Sequence, residues 1–312
     1  MPLPLKLFSG SSHPQLALDV AKHLHVKLGE MDLKRFACNE IYAKPLETVR
    51  GCDVFIIQTA TSNVNEDLME LFIMIDALKR SFAAHIHVII PHYGYARQDR
   101  VATPREPISA KLVANLISAA GANHVITINL HSDQEQGFFD FPVDNLKAKK
   151  IFVDYFLRKK LKDLVVVAPD AGAAKEAKRF ADSIGAELAI IHKVRPEHNV
   201  SEVMHVVGDV VDKTCIIYDD MVDTGGTVVA GKEALLKKGA KEDVYLVSTH
   251  AVFSPPAVER LRGAKFKEVV VTDTIPIPAE KMFPGLMVLS VAPLLAKTIK
   301  NVHESKSVSS VY

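Results

Sequence analysis

The sequence predicts an α/β fold of two similar lobes, each a mostly parallel sheet flanked by helices. Two observations carry this reading. Short β-branched runs recur along the chain and several are apolar throughout rather than alternating, as in parallel strands covered on both faces. Longer helix-like stretches separate them, which is the βαβα rhythm of a parallel sheet.

Taken in order, the first strand is VFIIQ (54–58), followed by the helical pattern NEDLMELFIMIDALKRS (65–81). A strand at 88–91 (VIIP) precedes the helix ISAKLVANLISAAG (108–121) and the strand VITINL (125–130). The same order then returns, with LVVVAP (164–169), the Ala-rich helix GAAKEAKRFADSIG (172–185) and LAIIHK (188–193). CIIY (215–218) leads into TVVAGKEALLKKGA (227–240) and VYLVSTH (244–250). EVVVTD (268–273) and MVLSV (287–291) complete the strands. Three of the helices run up to Gly121, Gly185 or Gly239, where a C-terminal cap belongs. The segment from Val88 to Leu130 matches that from Val165 to Lys193 in outline, and Asp53–Pro91 resembles Thr214–His250. This repetition indicates two lobes joined near Lys147–Lys150, with domains at 1–148 and 149–291. One large sheet is the alternative. The polar ending HESKSVSSVY reads as a mobile or regulatory tail.

Composition narrows the function. The 312 residues are 48% hydrophobic and 24% charged, an ordinary globular balance. Lys and Arg number 38 against 37 Asp and Glu, which argues against a broad nucleic-acid surface but leaves room for one phosphate pocket. No apolar run approaches the roughly 18 residues of a membrane helix, and the N-terminus lacks the pattern of a secretory signal. Cys38, Cys52 and Cys215 are far apart, with no zinc spacing or disulfide framework, and each reads as a buried or inert thiol. The expectation is a soluble cytoplasmic protein.

The chemistry concentrates in CIIYDDMVDTGGTVVAG (215–231). An apolar strand ends in Asp219-Asp220, a loop from Met221 to Gly226 adds Asp223, and Thr227 opens a helix. Carboxylates at the C-terminal edge of a parallel strand lie where open α/β sheets place ligands. As acceptors they suit neighbouring sugar hydroxyls or a metal ion. Thr224, Gly225, Gly226 and Thr227 offer backbone N–H groups and hydroxyls at a helix N-terminus, which favours an anion. A diol clamp beside a phosphate cradle describes a pocket for a phosphorylated ribose; the plainer alternative is a solvated, capped turn. The overlapping Gly226–Lys232 matches GxxxxGK of a nucleotide P-loop, but Glu233 stands where the magnesium-binding Ser/Thr belongs. It also falls inside the predicted helix.

The 215–228 segment resembles the phosphoribosyl-diphosphate loop shared by type I phosphoribosyltransferases and ribose-phosphate pyrophosphokinases. HYGYARQDR (92–100), REPISAKLVANLI (105–117), NLHSDQEQGFFDFPVDNL (129–146), APDAGAAK (168–175), HKVRPEHN (192–199) and SVAPLLAKTIK (290–300) decide for the second, class I branch, nearly end to end. The resemblance implies two phosphoribosyltransferase-like lobes, with 292–312 joining the first. It implies transfer of the diphosphate of ATP to the C1 hydroxyl of ribose 5-phosphate, with Mg2+ required. Asp219, Asp220, Asp223, Thr224, Gly225, Gly226 and Thr227 match the sugar-phosphate site. Asp170, Ala171 and Gly172 match the diphosphate loop, and His131 and Asp170 the metal ligands. Phe36, Cys38, Glu40, Arg97 and Gln98 fall on the ATP site, the first three on a segment that reaches across from a neighbouring subunit. Lys193 and Arg195 match the cations of a catalytic loop running to about His205. No general base stands out. Hexamers, activation by inorganic phosphate and inhibition by ADP are implied too, with Thr48, Arg50, Gln136, Asp144, Asn145, Ser307 and Ser309 in segments resembling the regulatory site.

The chain departs from the pattern at four places. Ala173 stands where many members have a second glycine, Val101 replaces a lysine, Cys38 an Asn or Asp, and Val194 a third cation. Two other functions remain open on sequence grounds, a phosphoribosyltransferase and a non-catalytic regulatory subunit of the same family.

Overall fold

The computed structural model describes residues 3–194, 203–309 and 311. The chain divides into two compact units, Met1–Lys147 with Thr274–Pro276 and Ser290–Tyr312, and Ala148–Asp273 with Ile277–Leu289.

The first unit is built on a five-stranded, wholly parallel sheet. Its strands are β1 (Leu5–Ser9), β4 (Asp53–Ile57), β5 (His85–Ile90), β6 (His124–Ile128) and β7 (Val143–Leu146), in the order β1-β4-β5-β6-β7. Helices α1 (Pro14–Leu24), α2 (Val64–Arg80), α3 (Ser109–Ala120) and α8 (Ala292–His303) belong to the same unit. Phe8, Val54, Ile56, Val88 and Ile90 from the sheet form one core with Leu71, Met74, Ile75 and Leu78 of α2 and Ile117 of α3. β4 and β6 are buried at every position, which is why they read as continuous apolar runs. A separate antiparallel hairpin pairs β2 (Met31–Arg35) with β3 (Ile41–Pro45). Its residues are half-buried or exposed and lack an apolar run, so hydrophobic patterning does not announce it.

The second unit holds a seven-stranded sheet in the order β10-β9-β8-β11-β12-β13-β14. These are β8 (Leu164–Ala168), β9 (Glu187–Val194), β10 (Val203–Val207), β11 (Thr214–Val222), β12 (Tyr245–Ala251), β13 (Glu268–Thr272) and β14 (Leu286–Leu289). Every pairing is parallel except β9 with β10. Helices α4 (Lys149–Lys159), α5 (Ala174–Ile184), α6 (Gly226–Lys237) and α7 (Ala257–Ala264) complete the unit. Gly231 lets α6 approach closely, because a Cβ there would lie 2.9 Å from Ile191 Cδ1. The α/β class with mostly parallel, helix-flanked sheets is the one the sequence predicts.

The glycine stops are real. Gly121 and Gly185 are left-handed caps with φ of 117° and 68°, and Gly239 follows α6 with φ of 93°. Four expectations need correction. The loop expected to run to about His205 does not reach that residue, which lies on β10 and pairs with His192 of β9. β11 does not end at Tyr218 but runs to Val222, so Asp219 and Asp220 are strand residues. The ladder to β12 continues through Asp219–Ser248 to Val222–Ala251, whereas the ladder to β8 stops at Ile217. The carboxylates therefore sit where one neighbouring strand has ended and water or a ligand can reach them. Cys38 is exposed, unlike Cys52 and Cys215. The described part of the C-terminal tail is tied down. Asn301 Nδ2 donates to the Ser307 carbonyl at 2.8 Å, and Val311 is buried.

Candidate active site

In the second unit, sugar and phosphate candidates share one sheet edge. Asp219 and Asp220 are half-buried near the end of β11, and the Asp220 N–H donates to Asp219 Oδ1 at 2.9 Å. Burial first, and then the charges of Asp220 and Asp170, push the Asp219 carboxyl well above the ordinary carboxylate range. The charge of Asp170, from the loop after β8, adds to the field at Asp219. Oxygen donors crowded in this way suit a hard divalent cation such as Mg2+ or the hydroxyls of a sugar, either of which relieves their repulsion. Asp170 Oδ1 also accepts the Ala173 N–H at 3.0 Å, which shapes the Ala171–Gly172 loop.

Asp223 follows β11 and leads into Thr224, Gly225 and Gly226. Gly225 has φ of 75°, a left-handed conformation that suits glycine, and it caps α6 without a side-chain hydrogen bond. The first turn of α6 has no acidic residue. Its N–H groups and dipole thus favour an anion, as the Thr224–Thr227 pattern predicts. Arg260 Nη1 donates to the Thr224 carbonyl at 3.1 Å and fixes the loop from behind. Sequence reasoning missed Arg260, because its contact joins α7 to a loop 36 residues earlier. Lys193 lies on β9 opposite Met204, and its side chain, together with Arg195, lies outside the described residues.

The first unit carries the remaining candidates. Arg97 and Gln98 are exposed in the loop after β5. Gln98 is anchored at the start of α3, its carbonyl accepting the Ala110 N–H at 3.2 Å and its Oε1 the Ser109 hydroxyl at 2.6 Å. His131 is exposed just beyond β6. A frame holds its loop. The Leu130 N–H donates to Asn145 Oδ1 at 3.0 Å, and Asn145 Nδ2 donates to Asp133 Oδ1 at 3.1 Å. Ser132 and the buried Glu135 add a capping box, a signal legible as S-x-x-E in the sequence. Phe36, Cys38 and Glu40 cluster at the exposed turn of the β2–β3 hairpin, where the Phe36 N–H donates to the Glu40 carbonyl at 2.9 Å. The Phe36 ring meets Tyr42 edge-on at 5.7 Å.

The regulatory candidates have varied surroundings. Thr48, Gln136, Ser307 and Ser309 are exposed. The Arg50 guanidinium lies 4.2 Å from the centre of the Phe82 ring. Asp144 faces His124 Nε2 at 3.1 Å, and Asn145 is the buried brace of the His131 loop.

Comparison with known proteins bears on the whole chain. Residues 5–121 match the N-terminal domain of ribose phosphate pyrophosphokinase, and residues 195–312 match the phosphoribosyl synthetase-associated domain. A ribose-phosphate pyrophosphokinase of Nostoc sp. is 52% identical over 309 residues, covering 99% of this chain and 93% of that protein. The one from Caldanaerobacter subterraneus is also 52% identical, over 99% and 98%. The crystal structure of phosphoribosylpyrophosphate synthetase from Mycobacterium smegmatis superposes with a TM-score of 0.92 at 49% identity, covering 97% of this chain and 99% of that one. The chain belongs to the ribose-phosphate pyrophosphokinase family.

As a pyrophosphokinase the chain is an enzyme, and its departures from the family pattern take on structural meaning. Ala173 has φ of −76° and ψ of −12°, so its backbone does not require glycine. Val101 is an exposed residue at 52% accessibility. The P-loop look-alike is resolved too. Lys232 is buried within α6 and donates to the carbonyls of Ala264 and Lys265 at 2.9 and 2.5 Å, where α7 ends. Burial lowers its ammonium pKa. This lysine ties two helices of the pyrophosphokinase together and binds no phosphate through a P-loop.

Proposed function

We propose that this pyrophosphokinase transfers the terminal diphosphate of ATP to the C1 hydroxyl of ribose 5-phosphate, supplying the phosphoribosyl donor of nucleotide biosynthesis. The observation that carries the reading is the pairing, on one sheet edge, of the Asp219–Asp220 carboxylates with the uncapped N-terminus of α6. Carboxylates accept the ribose hydroxyls, with Asp223 lining the sugar, and Thr224, Gly225, Gly226 and Thr227 hold the 5-phosphate. The C1 oxygen forms a bond to the β-phosphorus of ATP while the bond from that phosphorus to the α–β bridging oxygen breaks. AMP leaves with that oxygen, and the hydroxyl proton passes to solvent or to an acceptor oxygen.

Such a transfer asks the protein mainly for positioning and charge neutralisation. Lys193 and Arg195 supply the cations for the diphosphate, and Asp170, Ala171 and Gly172 shape the loop that receives it. Phe36 stacks on adenine, Glu40 accepts from its amino group, and Cys38 completes that turn. Arg97 and Gln98 contact the ATP. His131 and Asp170 are the residues that would hold Mg2+, whose charge would offset that of the phosphates. The clustered carboxylates around Asp219 fit that requirement. A homohexamer in the cytoplasm, activated by inorganic phosphate and inhibited by ADP through Thr48, Arg50, Gln136, Asp144, Asn145, Ser307 and Ser309, is the corresponding regulatory proposal. Among the described residues no helix is long and apolar enough to cross a membrane.

The test is to incubate the purified chain with ribose 5-phosphate, ATP and Mg2+, with and without inorganic phosphate. AMP and the C1 diphosphate should appear in equal amounts, without any nucleobase. Folded protein that turns over nothing would favour a regulatory subunit.

A further inference from the structure

At the N-terminal edge of the five-stranded sheet, opposite the edge that carries His131, lies a group of side chains the reaction does not use. Asp53 and His85 open β4 and β5 and are direct partners across the parallel ladder. His87 follows two residues later, so its side chain points to the same face as that of His85. Asp53 Oδ1 lies 3.3 Å from His85 Nδ1 and 2.8 Å from His87 Nε2, and Oδ2 lies 2.7 Å from His303 Nδ1. Asp53 is 5% exposed, and a pocket of about 660 Å³ opens beside it.

We propose that Asp53, His85 and His87 form a binding site for a divalent transition-metal ion of the zinc type. One ligand atom from each residue lies within 4.8 Å of the others, close enough to share one ion. Two imidazoles and a carboxylate are the donor set preferred by Zn2+, Co2+ or Ni2+, and a poor one for Mg2+ or Ca2+.

The surroundings resemble an outer ligand shell. The other nitrogen of His87, Nδ1, faces His124 Nδ1 at 3.0 Å, and His124 Nε2 faces Asp144 at 3.1 Å. The ring of His87 is further held by stacking on Phe55 at 4.4 Å. A histidine ligand fixed through its second nitrogen by a carboxylate-linked chain is what metal sites use to set ring orientation. His303 is the last residue of α8, whose C-terminal dipole favours a cation. The half-exposed His85, with 55% of its side chain accessible, gives an ion a way in.

The test uses the full chain, stripped with a chelator and titrated with Zn2+, and with Co2+ as a spectroscopic probe. The chain should retain one ion per protomer that survives His131→Ala, and Zn2+ should raise its melting temperature. His85→Ala, at a half-exposed position whose loss leaves the core intact, removes a direct ligand and should weaken that ion by more than the roughly 10–100-fold typical of losing an outer-shell partner, abolish the Co2+ ligand-field bands and remove the thermal shift. Equal zinc affinity in His85→Ala, or a bound ion lost only with His131→Ala, would overturn the proposal. A folded wild-type chain that binds no Zn2+ would overturn it as well.

Discussion

Replacing Lys232 by Met separates two meanings of the Gly226–Lys232 segment. Lys232 is 6% exposed, spans from α6 to the end of α7, and lies 5.1 Å from the centre of the Phe266 ring. Met keeps most of the apolar stem but loses two hydrogen bonds from a charged donor. Each such bond is worth roughly 1.5–3 kcal/mol, and the ring contact about 1 kcal/mol. Removing the ammonium also removes the cost of burying it, the same burial that depresses its pKa, so part of the loss is offset. A net destabilisation of about 2–3 kcal/mol remains, a fall in Tm of roughly 4–12 °C for a unit of this size. The assay pairs thermal denaturation with an ATP titration of the forward reaction well below the transition. The expected result is a lower Tm with an unchanged KM for ATP. Retained Tm with lost ATP binding is the signature of a nucleotide P-loop, and it would refute the reasoning.

Asp219→Asn keeps the acceptor for the Asp220 N–H while removing one of the crowded charges. It should stabilise the fold by about 0.5–2 kcal/mol near pH 8 while abolishing turnover. Because the folded pKa of Asp219 is raised, its charge costs stability at alkaline pH and the cost fades on acidification, so the gap in Tm should close as pH falls; a gap that widens contradicts the assignment. Under native conditions at pH 8 a thiol reagent should modify Cys38 rapidly and leave Cys52 and Cys215 untouched, since both are buried and burial pushes the Cys215 thiol up to about 12. Rapid labelling of Cys215 in the folded protein would show that β11 opens readily. Lys193→Ala should cut turnover by orders of magnitude at nearly unchanged Tm, and near-normal turnover would remove it from the mechanism. Asp223→Ala should act chiefly on the KM for ribose 5-phosphate, and unchanged kinetics would place the sugar elsewhere.

The central strands of both sheets were legible in the sequence because parallel strands buried on two faces are mostly apolar, as β8 is and as β4 and β6 are apart from Asp53, His124 and Thr127. The glycine caps and the 215–231 loop were legible because left-handed backbone and a helix N-terminus without an acidic residue impose residue types locally. The β2–β3 hairpin escaped because its exposure leaves no hydrophobic period, although the resemblance placed Phe36, Cys38 and Glu40 on a common segment. β1, β7, β10 and the helices α1, α4, α7 and α8 also escaped; β1 and β7 are short and half-exposed in part. The end of β11 was misplaced because two acids look like a stop, whereas its neighbours β8 and β12 decide where the ladder ends.

What the sequence determined by itself is therefore the class of fold and the family, together with the residue pattern of the loop proposed for the sugar phosphate, all written in contiguous residues. Tertiary structure alone decided the rest. It showed what Lys232 does, tying α6 to the end of α7, made Asn145 the brace of the His131 loop, and gathered Asp53, His85, His87, His124 and His303 at one sheet edge. Those residues span 250 positions between Asp53 and His303, and only strand order and helix docking bring such distant side chains within hydrogen-bonding reach.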